Sequence, residues 1–153
     1  MNLVYAKKCI VPTGAANVLQ SLNMAAAFSA AGAATYFFPG SKGKSAAERQ
    51  DVFRTALTDS GISPDMRDTW SLLPGNHAGL YGARFRLALT MLRFLLPDAV
   101  FYARDIKEAG FVRRLLSLPG RKQTFVFEMH EVLHLQAQNA HKRDALLREE
   151  AAV

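Results

Sequence analysis

One cysteine, Cys9, is all that the 153-residue chain contains. No disulfide can therefore staple the chain to itself, and a reducing compartment suits it. Long apolar runs are missing as well. The most apolar stretch, Leu87 to Ala103, is interrupted by Arg93 and by Pro97-Asp98, which argues against a transmembrane helix. No signal peptide opens the chain, because Asn2-Leu3-Val4-Tyr5-Ala6 runs straight into Lys7-Lys8 and a loop. A cytoplasmic protein is the expectation. Acidic residues are also in short supply, 13 Asp and Glu against 19 Lys and Arg, for a net charge of +6. Residues 80–122 alone carry nine Lys or Arg and three Asp or Glu, so the imbalance is local. A basic patch attracts nucleic acid, anionic lipid or a phosphorylated substrate. The competing explanation is that Arg84, Arg86, Arg93, Arg113 and Arg114 are the wetted faces of two helices.

What is present is ordinary globular material: 50% apolar and 21% charged residues, in a length that makes one domain, 1–153, with a real core. Leu3-Val4-Tyr5 reads as a buried strand, followed by a loop from Lys7 to Gly14 with Pro12 as a breaker. A helix is expected from about Ala15 to Ala31, with Val18, Leu19, Leu22, Ala25 and Ala26 as its apolar stripe and Gly32 ending it. Thr35-Tyr36-Phe37-Phe38 is strand-like and Pro39-Gly40 stops it. Further helices are expected over about 45–60, 80–96 and 105–118. Pro97 ends the second of these, and Asp105 caps the third. Strands are expected at Trp70-Ser71-Leu72-Leu73, at Ala99-Val100-Phe101-Tyr102 and at Thr124-Phe125-Val126-Phe127, and a last helix over about 132–150. Strand–helix alternation of this kind predicts an α/β domain: a Rossmann-like, doubly wound, mostly parallel sheet of about five strands with helices on both faces. Ligands in such sheets bind beyond the carboxyl ends of the strands, which here means the loops at 7–16, 103–105 and 128–131.

Three constellations compete for the chemistry. Gly40-Ser41-Lys42-Gly43-Lys44-Ser45 stands between a strand and a helix, where a phosphate-binding loop would. Such a loop needs a glycine five positions before its Gly-Lys-Ser, and that position is Phe38. An ordinary strand-to-helix loop is the better account. His130-Glu131-Val132-Leu133-His134 is a literal HExxH, in which His130 and His134 could grip zinc and Glu131 activate water. Against this, His130 directly follows a strand rather than lying inside a helix. A third histidine would be wanted at Ala140, which His141 misses by one position.

The third constellation is Phe101-Tyr102-Ala103-Arg104-Asp105, then a helix, then Phe125-Val126-Phe127-Glu128-Met129-His130-Glu131. Here the chain resembles the retaining GT-B glycosyltransferases that use nucleotide sugars. Their N-terminal domains show a strand ending in Tyr-x-Arg-Asp, and the next strand ends in Glu-x-His followed by an acid. The opening is similar too: an N-terminal strand, a loop Pro12-Thr13-Gly14-Ala15-Ala16-Asn17, a helix rich in small residues, and Gly32-Ala33-Ala34-Thr35 leading into strand two. The likeness covers most of the chain and is weakest between residues 41 and 80. It implies an acceptor-side domain whose loop at Thr13, Gly14 and Ala15 faces the cleft at a helix N-terminus, where backbone N–H groups favour a phosphate. It implies that His130 stands near the reacting sugar as the catalytic-site histidine, that Glu128 orients the loop, and that Arg104 either contacts an acceptor anion or pairs with Asp105 or Glu128.

The same resemblance puts the donor site in a C-terminal domain, held by two glutamates eight positions apart. Glu48, Glu108, Glu128 and Glu131 are followed at that spacing by Ala56, Leu116, Gln136 and Asn139, so no such pair is present. The expectation is a truncated acceptor half, inactive alone. Its partners in the full enzyme would be a nucleotide-sugar donor and a sugar or lipid-linked acceptor, with no cofactor and no nucleic acid. Arg86 and Arg93, seven residues apart, share one face of the third long helix, while Ala83, Leu87 and Met91 form another. With Arg113, Arg114, Arg121 and Lys122 they are expected to make a patch for an anionic membrane surface, placing the protein at the periphery of the inner face. The alternatives are the zinc hydrolase on His130 and His134, and a non-catalytic α/β binding module.

Overall fold

A computed structural model describes residues 1–12, 16–63, 69–120 and 122–128, together with 144, 147, 148 and 151. It shows an α/β architecture with two parallel sheets. The first has four strands: β1 (Asn2–Tyr5), β3 (Ala34–Tyr36), β6 (Val100–Ala103) and β7 (Thr124–Phe127), in the order β3-β1-β6-β7. The second is a short three-stranded sheet, β2-β4-β5, made by β2 (Ile10–Val11), β4 (Gly40–Ser41) and β5 (Leu73–Pro74). A parallel bridge between Phe37 and Trp70 joins the two regions. Segments 70–74, 34–41, 2–11, 100–103 and 124–127 therefore stand side by side in that order, every pairing parallel. Numbered along the chain, the five extended segments run 3-2-1-4-5, the doubly wound arrangement in which the direction of winding reverses between the first and fourth.

Side-chain alternation along the strands builds a core on each face. Leu3 and Tyr5 meet helices α1 (Ala16–Ala30) and α2 (Ala46–Asp59) through Val18, Leu22, Phe53 and Leu57. Val4, Ala6, Phe101 and Ala103 meet α3 (Ala78–Leu95) and α4 (Ile106–Leu116) through Phe85, Leu89, Val112 and Leu115. Each fully buried side chain of this size contributes about 1.5–3 kcal/mol, so both sheet faces are held. Tyr5 anchors the first core. Its ring stacks on Phe37 at 5.2 Å and meets Phe28 edge-on at 6.0 Å.

The helix ends follow local chemistry. Ser45 caps α2 by accepting from the Glu48 N–H at 3.0 Å, while the Glu48 carboxylate accepts from the Lys44 N–H at 2.8 Å. This reciprocal satisfaction of amides is what a Ser-x-x-Glu pattern provides. Asp105 caps α4 in the same manner, its Oδ1 accepting from the Lys107 N–H at 3.3 Å. Among the described residues no helix is long and apolar enough to cross a membrane.

Two expectations are corrected. Ile10–Val11 and Gly40–Ser41, read as loop and turn, are strands. Pro39 does not stop the pairing, because its carbonyl still accepts from the Leu73 N–H at 2.9 Å and Gly40 donates to the Cys9 carbonyl at 2.8 Å. Arg93, expected on an outer basic face, is buried. Its position follows Tyr81, Phe85 and Leu89 at intervals of four, which places it on the core side of α3. Its guanidinium lies against Gly120, where an added Cβ would come within 3.1 Å of Nη2.

Candidate functional site

The carboxyl edge of the four-stranded sheet opens where β1 and β6 separate. Their last rung is the Ala6 N–H donating to the Tyr102 carbonyl at 2.8 Å. Beyond it Lys7 turns back on the Tyr5 carbonyl at 3.0 Å and leads toward β2, whereas β6 passes through Arg104 and Asp105 into α4. This is the point at which helices leave the sheet on opposite faces, and it is where ligands of doubly wound sheets bind.

Charged side chains line the opening in pairs. Lys7 Nζ lies 3.2 Å from Asp105 Oδ2, and Lys8 Nζ lies 2.7 Å from Glu108 Oε1. Arg104 Nε lies 3.5 Å from Glu128 Oε2 across the ends of β6 and β7, whose register sets Ala103 beside Phe127. The Glu128 N–H donates to the Ala103 carbonyl at 3.0 Å, which carries the ladder one residue past β7 and holds Glu128 opposite Arg104. Of the alternatives open to Arg104, contact with an acceptor anion or pairing with Asp105 or Glu128, the structure shows the pair with Glu128.

Burial sets the protonation of these groups. Desolvation works against the Asp105 carboxylate, but its interaction with Glu108 and the Lys7 ammonium outweigh that cost and hold its pKa below the ordinary carboxylate value. Glu108 goes the other way. Desolvation raises it, Lys8 only partly offsets this, and the neighbouring Asp105 charge adds to the rise. Desolvation also raises the Tyr5 phenol, with Ser21 and Arg104 opposing. Neither forms a well-aligned hydrogen bond with it, so the Tyr5 hydroxyl and Arg104 Nε are both buried without a hydrogen-bond partner among the described residues.

Chemically, the described residues of the opening offer cationic and hydroxyl donors, and among them there is no activated nucleophile. Cys9 is buried, and burial pushes its thiol up to about 12, far from the thiolate that reactivity requires. Its N–H donates to the Tyr81 hydroxyl at 3.1 Å, and that hydroxyl lies 3.1 Å from the Cys9 carbonyl and 3.0 Å from the Phe38 carbonyl. Burial raises the Tyr81 phenol strongly, so it stays protonated and serves as a staple between strands.

Of the other expected site residues, Thr13, Gly14 and Ala15 of the helix-capping loop, and His130, Glu131 and His134, lie outside the described residues. Among the described residues no group of three His, Cys, Asp or Glu side chains gathers as a metal site. The segment Gly40 to Ser45 is no phosphate cradle, because its amides already have protein partners. Lys42 N–H donates to the Val11 carbonyl at 3.0 Å, Gly43 N–H to Asn76 Oδ1 at 2.9 Å, and Lys44 N–H to Glu48. The loop at 7–16 was expected to meet a ligand, but its Lys7 and Lys8 were not named as site residues, and Tyr5 and Glu108 were overlooked. The signal was available in two places: a lysine pair directly after a buried strand, and the Asp105-x-x-Glu108 capping pattern after another. A separate cavity of about 710 Å³ lies between α1 and α2, with Val11, Val18, Leu22 and Val52 among its lining residues.

Comparison with known proteins adds no relative: no family, curated protein or solved structure matches the chain.

Proposed function

We propose that the domain forms the acceptor side of a GT-B glycosyltransferase site, which transfers a sugar from a nucleotide sugar and depends on a second, donor-binding domain for turnover. The observation that supports this reading is the parallel register of β6 and β7, which sets Ala103 beside Phe127. It brings Tyr102-x-Arg104-Asp105 and Glu128, parts of the two motifs that resemble the glycosyltransferases, to one edge of the sheet, where ligands of doubly wound sheets bind. In this reading Arg104 and Lys7 attract a negatively charged acceptor group, Tyr5 donates from the floor, and Glu128 fixes the guanidinium plane. His130 and the loop at Thr13 to Ala15 act on the sugar and phosphate as the resemblance implies.

The test is a titration of the chain followed by amide NMR. A sugar phosphate is expected to shift the amides of residues 103–107 and 128 with weak affinity, and Arg104→Gln is expected to abolish the shifts. Nucleotide sugars are expected to bind poorly and to undergo no turnover. Low-micromolar nucleotide-sugar binding to this chain alone would overturn the acceptor-side assignment. So would equimolar zinc that survives chelation and is lost in His130→Ala.

A further inference from the structure

Arg93 is only 3% exposed, yet among the described residues no carboxylate pairs with it and its Nε has no hydrogen-bond partner. A guanidinium, unlike an ammonium, does not escape burial by giving up its proton, and a buried charge without a partner is costly. The C-terminus of α3 offers about half an elementary charge of the right sign. Its nearby carbonyls already have donors. That of Leu92 accepts from the Leu96 N–H at 2.9 Å, and that of Leu96 from the Ala99 N–H at 3.2 Å and from Gln123 Nε2.

The side chain lines a cavity of about 300 Å³ together with Phe94, Pro97 and Gly120. Helix α3 leads into β6 and the turn at Gly120 leads into β7, so the cavity lies at the amino edge of these parallel strands. The candidate site is at the opposite edge. Glycine at 120 leaves room for the guanidinium, because an added Cβ would come within 3.1 Å of Nη2. The other walls are apolar: Phe94 is 65% exposed, and Pro97 follows the end of the helix. No second charged side chain is among the described residues that line the cavity.

We propose that this cavity binds a small organic carboxylate, with its oxygens on the Arg93 guanidinium and its apolar body against Phe94 and Pro97. The planar fork of a guanidinium matches the two oxygens of a carboxylate. One cation balances a monoanion, whereas a phosphate dianion would keep a charge that no second lining cation meets. An uncharged apolar ligand would cover the walls and leave Arg93 without a counterion. A volume of about 300 Å³ is at the small end of ligand sites, which suits a body of a single ring. The proposal rests on the amino edge of the sheet and does not depend on the glycosyltransferase reading.

Amide NMR of the chain titrated with benzoate tests it, with benzamide as the uncharged ring, acetate as the bare carboxylate and inorganic phosphate as the competing anion. Benzoate is expected to give saturable shifts in the millimolar range at residues 93–96, 98 and 120, and none at 103–107. Benzamide is expected to bind about tenfold more weakly or worse, and phosphate to leave bound benzoate in place at equal concentration. Phe94→Ala, at an exposed position, is expected to weaken benzoate about fivefold and to leave acetate unchanged. Arg93→Met is expected to abolish the shifts without lowering the urea midpoint, since it removes a buried charge that has no partner. Arg93→Lys keeps the charge and loses the fork, so it is expected to bind about tenfold more weakly, which keeps the test sharp if the methionine variant does not fold. Benzoate without saturable shifts, benzamide binding as well as benzoate, or phosphate displacing it would overturn the proposal. So would an Arg93→Lys variant that binds like the parent, or an Arg93→Met variant that loses stability and keeps the shifts.

Discussion

At the residue scale the informative groups are those whose charge is held at a cost. Asp105 and Glu108 stand three positions apart at the start of α4, and each has its own lysine. They respond to pH in opposite senses. Asp105, with a lowered pKa, contributes stability that is present above its unfolded value of about 3.9 and is lost as pH falls through the folded value. Glu108, with a raised pKa, contributes stability that is fully present below its unfolded value of about 4.3 and is lost as pH rises through the folded one. Urea denaturation should therefore give relative slopes of opposite sign in two separate windows. Relative to the parent, Glu108→Gln should gain stability as pH rises above about 4.3, and Asp105→Asn should close its deficit as pH falls below about 3.9. At neutral pH Asp105→Ala should cost about 1 kcal/mol, because the cap on the Lys107 N–H disappears. Parallel slopes for the two variants would mean that the carboxyls titrate as one shared proton. Little of this was visible beforehand. Arg104 and Glu128 could be named from their motifs, but Lys8 and Glu108 are a hundred positions apart, and no periodicity connects residues that only a sheet crossover brings together.

At the scale of elements, what was legible were the parts with strong local chemistry. Ser45 and Asp105 announce their helices through cap geometry, and the four helices fall within two residues of their expected bounds. The two-residue strands β2 and β4 were not legible, because Pro39 and Gly40 are normally signals that pairing ends, whereas β5 overlaps the strand expected at 70–73 and runs on through Pro74. Nor could the pattern say which side of α3 faces the sheet, since both Tyr81-Phe85-Leu89 and Leu80-Leu87-Met91 recur at helical spacing. The short sheet depends instead on a tertiary device. Gly75 lets Ser41 approach so closely that an added Cβ would lie 3.1 Å from its amide nitrogen. Tyr81 meanwhile supplies the hydrogen bonds missing where the strands part at Cys9 and Phe38. Tyr81→Phe keeps the ring and removes the hydroxyl, which leaves the Cys9 N–H buried without an acceptor. The expected cost is about 1–3 kcal/mol, read as a lower urea midpoint with unchanged helical circular dichroism. An unchanged midpoint would show that water replaces the hydroxyl and that the staple is dispensable.

At the scale of the whole molecule, the cations of α3 and α4 offer an anion a second place besides the sheet edge. Helix α4 begins at the carboxyl edge of β6, so Lys107, which with Arg86, Arg113 and Arg114 lines a cavity of about 520 Å³, stands three residues from Arg104 of the candidate site. Cations gathered in this way favour a multivalent anion that bridges them. An anion that binds the folded state and not the unfolded one stabilises it by mass action, by about 2.7 kcal/mol when present at 100 times its dissociation constant. Inorganic pyrophosphate should therefore raise the thermal midpoint of the chain by several degrees more than sodium chloride at the same ionic strength. General screening relieves repulsion with either salt; a built cavity adds a term for pyrophosphate alone. Arg86→Gln with Arg114→Gln should remove most of that excess, whereas Arg104→Gln should leave it largely in place. The pair of variants separates the cavity between α3 and α4 from the opening at the sheet edge. If Arg104→Gln removed the excess and the double variant kept it, the anion would be bound at the sheet edge, and the cations of α3 and α4 would be a solvated surface with no ligand of their own.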